Sequence, residues 1–408
     1  MHGMTRNRGR RIGAARAAVL PGLDRLFAGL LDRIDRGLAE GSIRATLPGG
    51  TMRVLGGRRP GPDAVVDLRH WRALYRLATG GSAGWYEAWA AGEWDSPDPV
   101  TLFELFVRNR APLGDTARAR IWSRIGRRLA HSGRRNDRSG ARANIAYHYD
   151  LGNDFYAHWL DSTMTYSSAL FDGDEPLEAA QRRKLQAVLD RTETQAGDRI
   201  LEIGCGWGSF AEIAAGAGRQ VHGITLSAQQ KAYVDARALP GVEVSLTDYR
   251  DVIGSYDAVA SIEMVEAVGQ DYWPAYLATI ARLLKPGGRA AIQLIAFDDA
   301  FFDNYARNVD FIQSYVFPGG LLVSESRFRA IAAQHGLRWA DRRGFGMDYA
   351  ETLKRWREAF DAADRAGVLP PDLDEDFRDL WRYYLMYCEG GFRGGGIDVA
   401  QVTLIKGE

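Results

Sequence analysis

Apolar residues follow two rhythms along this chain. From Arg199 onward, short runs rich in Val, Ile, Leu and Ala recur: RILEI, QVHGITL, VEVSL, YDAVASI and RAAIQLI. Runs of that length and content suit strands buried on both faces. Between them lie stretches with helical spacing, beginning at Ser209, at Ala228 and near Tyr272–Leu284. The alternation predicts a doubly wound α/β sheet. A different rhythm fills the N-terminal part. Residues 20–38, LPGLDRLFAGLLDRIDRGL, place Leu23, Leu26, Phe27, Leu30, Leu31 and Ile34 on one helical face. Strand-like pieces follow around Ile43–Leu47 and Thr51–Leu55, broken by Pro-Gly and Gly-Gly turns. Trp85, Tyr86, Trp89 and Trp94 come next and are expected to pack a helix onto this module. The pattern divides the chain into a small α+β domain over 1–110, a basic linker over 111–143 and a large domain over 144–408. The large domain ends in a helix and a final strand, VAQVTLI.

Composition narrows the class. The chain has 408 residues, 46% of them apolar and 25% charged, with a formal net charge of zero. Two or three domains fit that length, and no global field favours nucleic acid. Charge is local instead. From Arg118 to Arg142 there are nine Arg and one acid, Asp137. Ile121, Trp122, Ile125 and Leu129 are interleaved with them. This segment reads either as a solvated tether or as a helix that docks on anionic lipid headgroups. Two cysteines, Cys205 and Cys388, make neither a disulfide framework nor a metal site. A reduced, cytoplasmic setting is the simplest inference. No apolar run is long enough to span a bilayer, and the basic N-terminus lacks the apolar core of a signal peptide. Contact with a membrane is therefore expected at its inner surface.

The string RILEIGCGWGSF carries the first chemistry. A strand runs into Gly204, Gly206 and Gly208 and then a helix, with Glu202 just before the turn. Such a loop lets the backbone approach a ligand at the carboxyl end of a strand. Its G-x-G-x-G spacing resembles the first motif of class I S-adenosylmethionine (SAM) methyltransferases. The later LLKPGGRAAIQ resembles that superfamily's helix-turn-strand, with Pro286, Gly287 and Gly288 as the turn. The second strand has no acid at its end, which leaves Thr225, Leu226 and Gln230 to meet the ribose. Asp248 is placed to accept from an adenine amine and Tyr249 to cover the ring.

Residues 147–172, YHYDLGNDFYAHWLDSTMTYSSALFD, stand with GCGWGS, GITLSAQQ, DYRD and YVFPGG in one order. Together they resemble the cyclopropane-fatty-acid-phospholipid synthase family. The resemblance implies methyl transfer from SAM to a carbon–carbon double bond of phospholipid acyl chains. The product would be a cyclopropane or a methyl- or methylene-branched chain. A small soluble acceptor is the alternative. It also implies SAM contacts at Tyr166 and Ser167, at the Gly204–Gly208 loop, at Thr225 to Gln230 and near Tyr249. Homodimers occur among such relatives, and a methylene product would call for a separate reductase.

In that family a bound bicarbonate serves as the base. Its pocket is formed by a Cys in YSCA, a Glu-His pair, a His in the fifth strand and a Tyr. Here YSCA is YSSA, with Ser168; the Glu is Glu266, followed by Ala267; the His is Gln293; the Tyr is Tyr349. Glu263, three residues before Glu266 in DAVASIEMVEAVG, adds a second acid that should disfavour a bound anion. It is open to three roles: restoring charge balance, acting as the base, or binding the ammonium of SAM. Cys388, in YYLMYCEGGF, matches a family cysteine and reads either as catalytic or as a buried structural thiol.

Overall fold

A computed structural model describes residues 23–114 and 151–408. The chain divides into two compact units, Met1–Ile125 and Gly126–Glu408. The basic segment 118–142 and the motif residues 147–150 lie outside the described residues.

The first unit opens with the helix Leu23–Gly37. Strands β1 (Ser42–Thr46), β2 (Met52–Gly56), β3 (Asp63–Leu68) and β4 (Trp94–Asp95) form a sheet in the order β2-β1-β3-β4. The two expected strands pair antiparallel, while β1 and β3 run parallel. Trp85, Tyr86 and Trp89 lie on the expected helix, Arg72–Ala90, whereas Trp94 falls in β4. Trp85 stacks on Trp94 with centroids 4.3 Å apart, and the Trp94 indole N–H donates to the Trp85 carbonyl at 2.9 Å. The next helix, Pro99–Arg108, starts from Asp98, whose carboxylate accepts from the Thr101 N–H, with Pro at the first position. The unit does not stop at 110. A helical turn, Arg110–Leu113, follows, and Leu113 packs on Gly37, where a Cβ would meet its Cδ2 at 2.6 Å.

In the second unit, β5 (Arg199–Ile203), β6 (Gln220–Thr225), β7 (Val242–Leu246), β8 (Tyr256–Ile262), β9 (Leu284–Phe297), β10 (Leu337–Gly344) and β11 (Ile397–Lys406) make one sheet. Its order is β10-β11-β9-β8-β5-β6-β7. The five strands β9, β8, β5, β6 and β7 are parallel, and β11 is antiparallel to both its neighbours. Trp273, Tyr276, Ile280, Phe302 and Phe328 belong to one core cluster, while Leu185, Val188 and Phe210 belong to another. Helical layers supply both, which explains why the parallel strands read as unbroken apolar runs. One expectation needs correcting. The Pro-Gly-Gly segment does not separate a helix from a strand; it lies inside β9, and the β8–β9 register shifts between Tyr256 and Ala258 to absorb it. Gly287 takes a left-handed φ of 73° there.

Asn109 organises the first unit. Its side chain is fully buried. Its Oδ1 accepts from Ala39 N (2.7 Å) and Glu40 N (3.1 Å), and its Nδ2 donates to the carbonyls of Glu40 (3.0 Å) and Leu105 (2.8 Å). Asn109→Leu keeps the branched outline but leaves these backbone groups unpaired. It should destabilise this unit by about 2–4 kcal/mol in denaturant unfolding followed by tryptophan fluorescence. A loss below about 0.5 kcal/mol would remove Asn109 from that role.

Candidate active site

Strand order reverses between β5 and β8, the place where open α/β sheets form a crevice at their carboxyl ends. Both motifs sit there. After Ile203 the glycine loop turns back, and the N–H groups of Gly204 and Cys205 both donate to the Ile224 carbonyl at 3.0 Å. Gly204 has φ 80°, and a Cβ on it would meet Met264 Cγ at 2.8 Å. The loop is thus pressed against the turn that bears the two acids. Gly206, by contrast, faces open space. Gly208, at φ 84°, precedes the helix Ser209–Gly216. Glu202 is buried with Oε2 unpartnered, and burial pushes its pKa well up, opposed by Lys184.

The other cofactor candidates divide. Thr225 donates to Gln230 Oε1 at 2.7 Å, so these two buried side chains hold each other at the end of β6, flanking half-buried Leu226. Asp248 is paired through both oxygens with Arg250, at 2.8 and 2.6 Å. Tyr249 lies edge-on to Tyr276 with the Arg250 guanidinium near its ring, and burial pushes its pKa up to about 12. The hydroxyls of Tyr166 and Tyr384 share a hydrogen bond at 2.9 Å. Ser167 accepts from the Lys184 ammonium at 2.5 Å.

Beyond Ile262 the chain turns through Glu263 in a left-handed conformation, φ 49°. That turn carries the carboxylate into a ring of donors. Its Oε1 accepts from Ser168 N at 2.9 Å and from Gln293 Nε2 at 2.7 Å. Its Oε2 accepts from the Tyr349 hydroxyl at 2.8 Å. Ser168 therefore acts through its backbone; its hydroxyl donates instead to the Ala169 carbonyl. Burial pushes the Glu263 pKa up, opposed by Lys184, Gln293, Ser168 and Tyr349. Glu266 is placed differently. One oxygen accepts from Ile295 N and the other is buried without a partner. Burial, with Glu263 adding to it, pushes its pKa up to about 8. Two neighbouring acids thus differ: burial raises the pKa of both, but Glu263 alone holds donors and a countercharge that favour its ionised form.

Cys388 lies within electrostatic range of Tyr349. Burial, with Asp310 adding to it, pushes its thiol well above the ordinary range, which suits a structural thiol. Two residues absent from the sequence reading enter instead. Lys184 is fully buried, and burial brings its pKa down to about 8 while Glu263, Asp161 and Glu202 hold it up. Gln401 is also fully buried and donates to Gln293 Oε1 at 3.1 Å. A lone glutamine inside the apolar run VAQVTLI was the signal for it.

The sequence profile of the family described as mycolic acid cyclopropane synthetase matches residues 136–402. The chain belongs to this family. Tuberculostearic acid methyltransferase of Mycobacterium tuberculosis is 41% identical over 360 residues, covering 85% of this chain and 82% of that protein. Cyclopropane-fatty-acyl-phospholipid synthase of Escherichia coli is 34% identical over 356 residues, covering 84% and 88%. A mycolic acid cyclopropane synthase crystallised with S-adenosylhomocysteine and CTAB superposes with a TM-score of 0.61 at 30% identity, over 65% of this chain and 98% of that one. Like other members of the mycolic acid cyclopropane synthetase family, this is a SAM-dependent enzyme that modifies lipid acyl chains. The residues fit that cofactor: the glycine loop opens onto free space at Gly206, and the orphaned Glu202 oxygen is an unused acceptor beside it in sequence.

Two outcomes are expected. Gly204→Ala, forced to φ 80° against Met264, should weaken S-adenosylhomocysteine binding about tenfold or more by calorimetry. Unchanged affinity would place the cofactor elsewhere. Glu266 has the second. Between its ordinary pKa of 4.5 and about 8 the unfolded chain ionises while the folded one stays protonated, so stability falls as pH rises through that window. In Glu266→Gln, pH-dependent unfolding should lose this slope. A slope identical to the native one would mean that Glu266 is ionised in the fold.

Proposed function

We propose that this enzyme transfers a methyl group from SAM to a double bond of phospholipid acyl chains, and that Glu263 is the base that completes the reaction. The product is a methylene-branched chain, formed without bicarbonate. One observation carries the reading: the positions that the family resemblance assigns to an anion pocket, Ser168, Gln293 and Tyr349, all direct their donors onto the Glu263 carboxylate. A carboxylate of the chain itself fills the role of the dissolved anion.

When bound, SAM supplies an electrophilic methyl group. The protein must then serve a cation left on the neighbouring alkene carbon, and a proton that has to leave. Glu263 does both, since its negative charge favours the cation and its oxygen takes the proton. Aromatic rings beside the same cluster add negative faces: Tyr349 packs on Phe392 at 4.5 Å and edge-on to Trp356 at 6.1 Å. Neutral Glu266 keeps a second negative charge out of the site, which would compete with Glu263 for the Lys184 field. If a hydrogen shifts between the alkene carbons first, proton loss from the added methyl leaves a methylene branch. Direct loss closes a ring. The name of the 41% identical relative, a fatty acid methyltransferase, supports the branch. A partner reductase would saturate it.

The substrate is met at a membrane surface. Among the described residues no helix is long and apolar enough to cross a bilayer. The nine-Arg segment supplies attraction to anionic headgroups, in keeping with work at the inner face of the membrane.

The test uses vesicles of monounsaturated phospholipid, SAM and bicarbonate-depleted buffer. The lipid should gain one CH2, with vinylidene rather than ring protons by NMR. Glu263→Gln should lower kcat by about 10²–10⁴ while leaving SAM binding intact. Ring protons would assign the direct proton loss. A rate that collapses on bicarbonate removal, or full activity in Glu263→Gln, would overturn the role of Glu263.

A further inference from the structure

Gln293 and Gln401 are register partners across β9 and β11, and both side chains are fully buried. A primary amide can present either its oxygen or its NH2 to a neighbour. Nothing in Gln293 itself decides which end meets Glu263. Arg191 constrains it from outside. A guanidinium only donates, and Arg191 Nε donates to Gln401 Oε1 at 3.2 Å. The Gln401 NH2 must then turn inward, where it donates to the Lys184 carbonyl at 3.2 Å and to Gln293 Oε1 at 3.1 Å. With its oxygen so engaged, Gln293 has only its NH2 left for Glu263 Oε1 (2.7 Å) and the Ser168 carbonyl (3.3 Å). Arg191 is itself held by Asp341 at 2.8 Å and Thr403 at 3.3 Å.

We propose that Gln401, anchored by Arg191, is a positioning residue that fixes the donor polarity of Gln293 toward Glu263. The catalytic consequence rests on the reading of Glu263 as base. A reversed Gln293 would set its carbonyl oxygen against a carboxylate oxygen, two acceptors with no proton between them, and would favour the protonated acid. Other groups act on Glu263 as well: the Lys184 ammonium from the helix Leu177–Thr192, the Tyr349 hydroxyl from the helix Gly346–Ala366, and Glu266 from the same turn. Glu202 and Asp161 face Lys184. The Ser168 carbonyl accepts only and favours the same end of the amide from the acid side; Gln401, set by Arg191, adds the matching constraint at the amide oxygen.

The test separates position from charge. Gln401→Met keeps the volume and leaves the Gln293 amide free to turn. Gln401→Glu offers Gln293 acceptors only and retains Arg191, but it adds a charge, so Gln401→Met alone separates position from charge. Both variants remove the bond to the Lys184 backbone carbonyl and leave its ammonium in place. The Glu263 carboxyl is titrated by carbon-13 NMR, its resonance being the one absent from Glu263→Gln, and kcat is measured against pH. In both variants the Glu263 midpoint should rise by about a unit or more. At neutral pH kcat should fall about tenfold, its acid limb moving with the midpoint, while KM for SAM stays within about twofold. Should either variant fail to fold, Arg191→Met removes the anchor at the far end and should shift the midpoint in the same direction. A midpoint unchanged in a folded variant overturns the proposal, even if the rate falls, because packing alone would then explain the loss. A midpoint that rises without any change in rate supports the relay and removes Glu263 as the base.

Discussion

A negative charge held in low-dielectric surroundings is the constraint on which the rest of this site depends. An ionised carboxylate there is tolerated only with donors and an opposite charge close by. Glu263 has backbone, amide and hydroxyl donors on its two oxygens, and the Lys184 ammonium supplies the countercharge. These partners come from four separate elements: the loop before the helix Leu177–Thr192, that helix itself, β9, and the helix Gly346–Ala366. The sheet therefore does more than carry a cofactor loop. It fixes the distances among groups that would be costly to bury one at a time.

Glu266 shows the other solution to the same problem. With one oxygen on a backbone N–H and the other buried without a partner, it stays protonated. Two residues of one type thus meet opposite surroundings within one turn, one ringed by donors and one largely without them. Lys184 completes the balance. It lies between the cofactor side, through Ser167 and Glu202, and the acid side, through Glu263. One cation thus acts on both halves of the site.

Much of this was legible in the residues. Strand rhythm, the glycine loop and the unusual pair of acids at the end of an apolar run each have a direct local cause. What escaped depends on geometry that a linear pattern does not contain. The left-handed turn at Glu263 decides where its side chain goes. Ser168 looked like a hydroxyl donor, yet its backbone does the work. Asp248 looked free to meet an adenine, but Arg250 two residues on engages both its oxygens. The Pro-Gly-Gly segment looked like a turn, while it forms a bulge inside β9, between the pairs Tyr256–Leu284 and Ala258–Arg289. Gln401 sits 108 residues from Gln293 and becomes its neighbour only through sheet register.

The left-handed φ at Glu263 carries a further meaning. It costs a residue with a side chain about 1–2 kcal/mol and would be comfortable for glycine. A small residue at this position would relax the backbone and leave three donors around an empty space the size of a carboxylate. Glu263 closes that space from within, so its anion never has to be captured from solution. On the proposed role of Glu263, the local concentration of base becomes a constant of the molecule, and turnover would not depend on dissolved inorganic carbon or on the gas exchange that sets it.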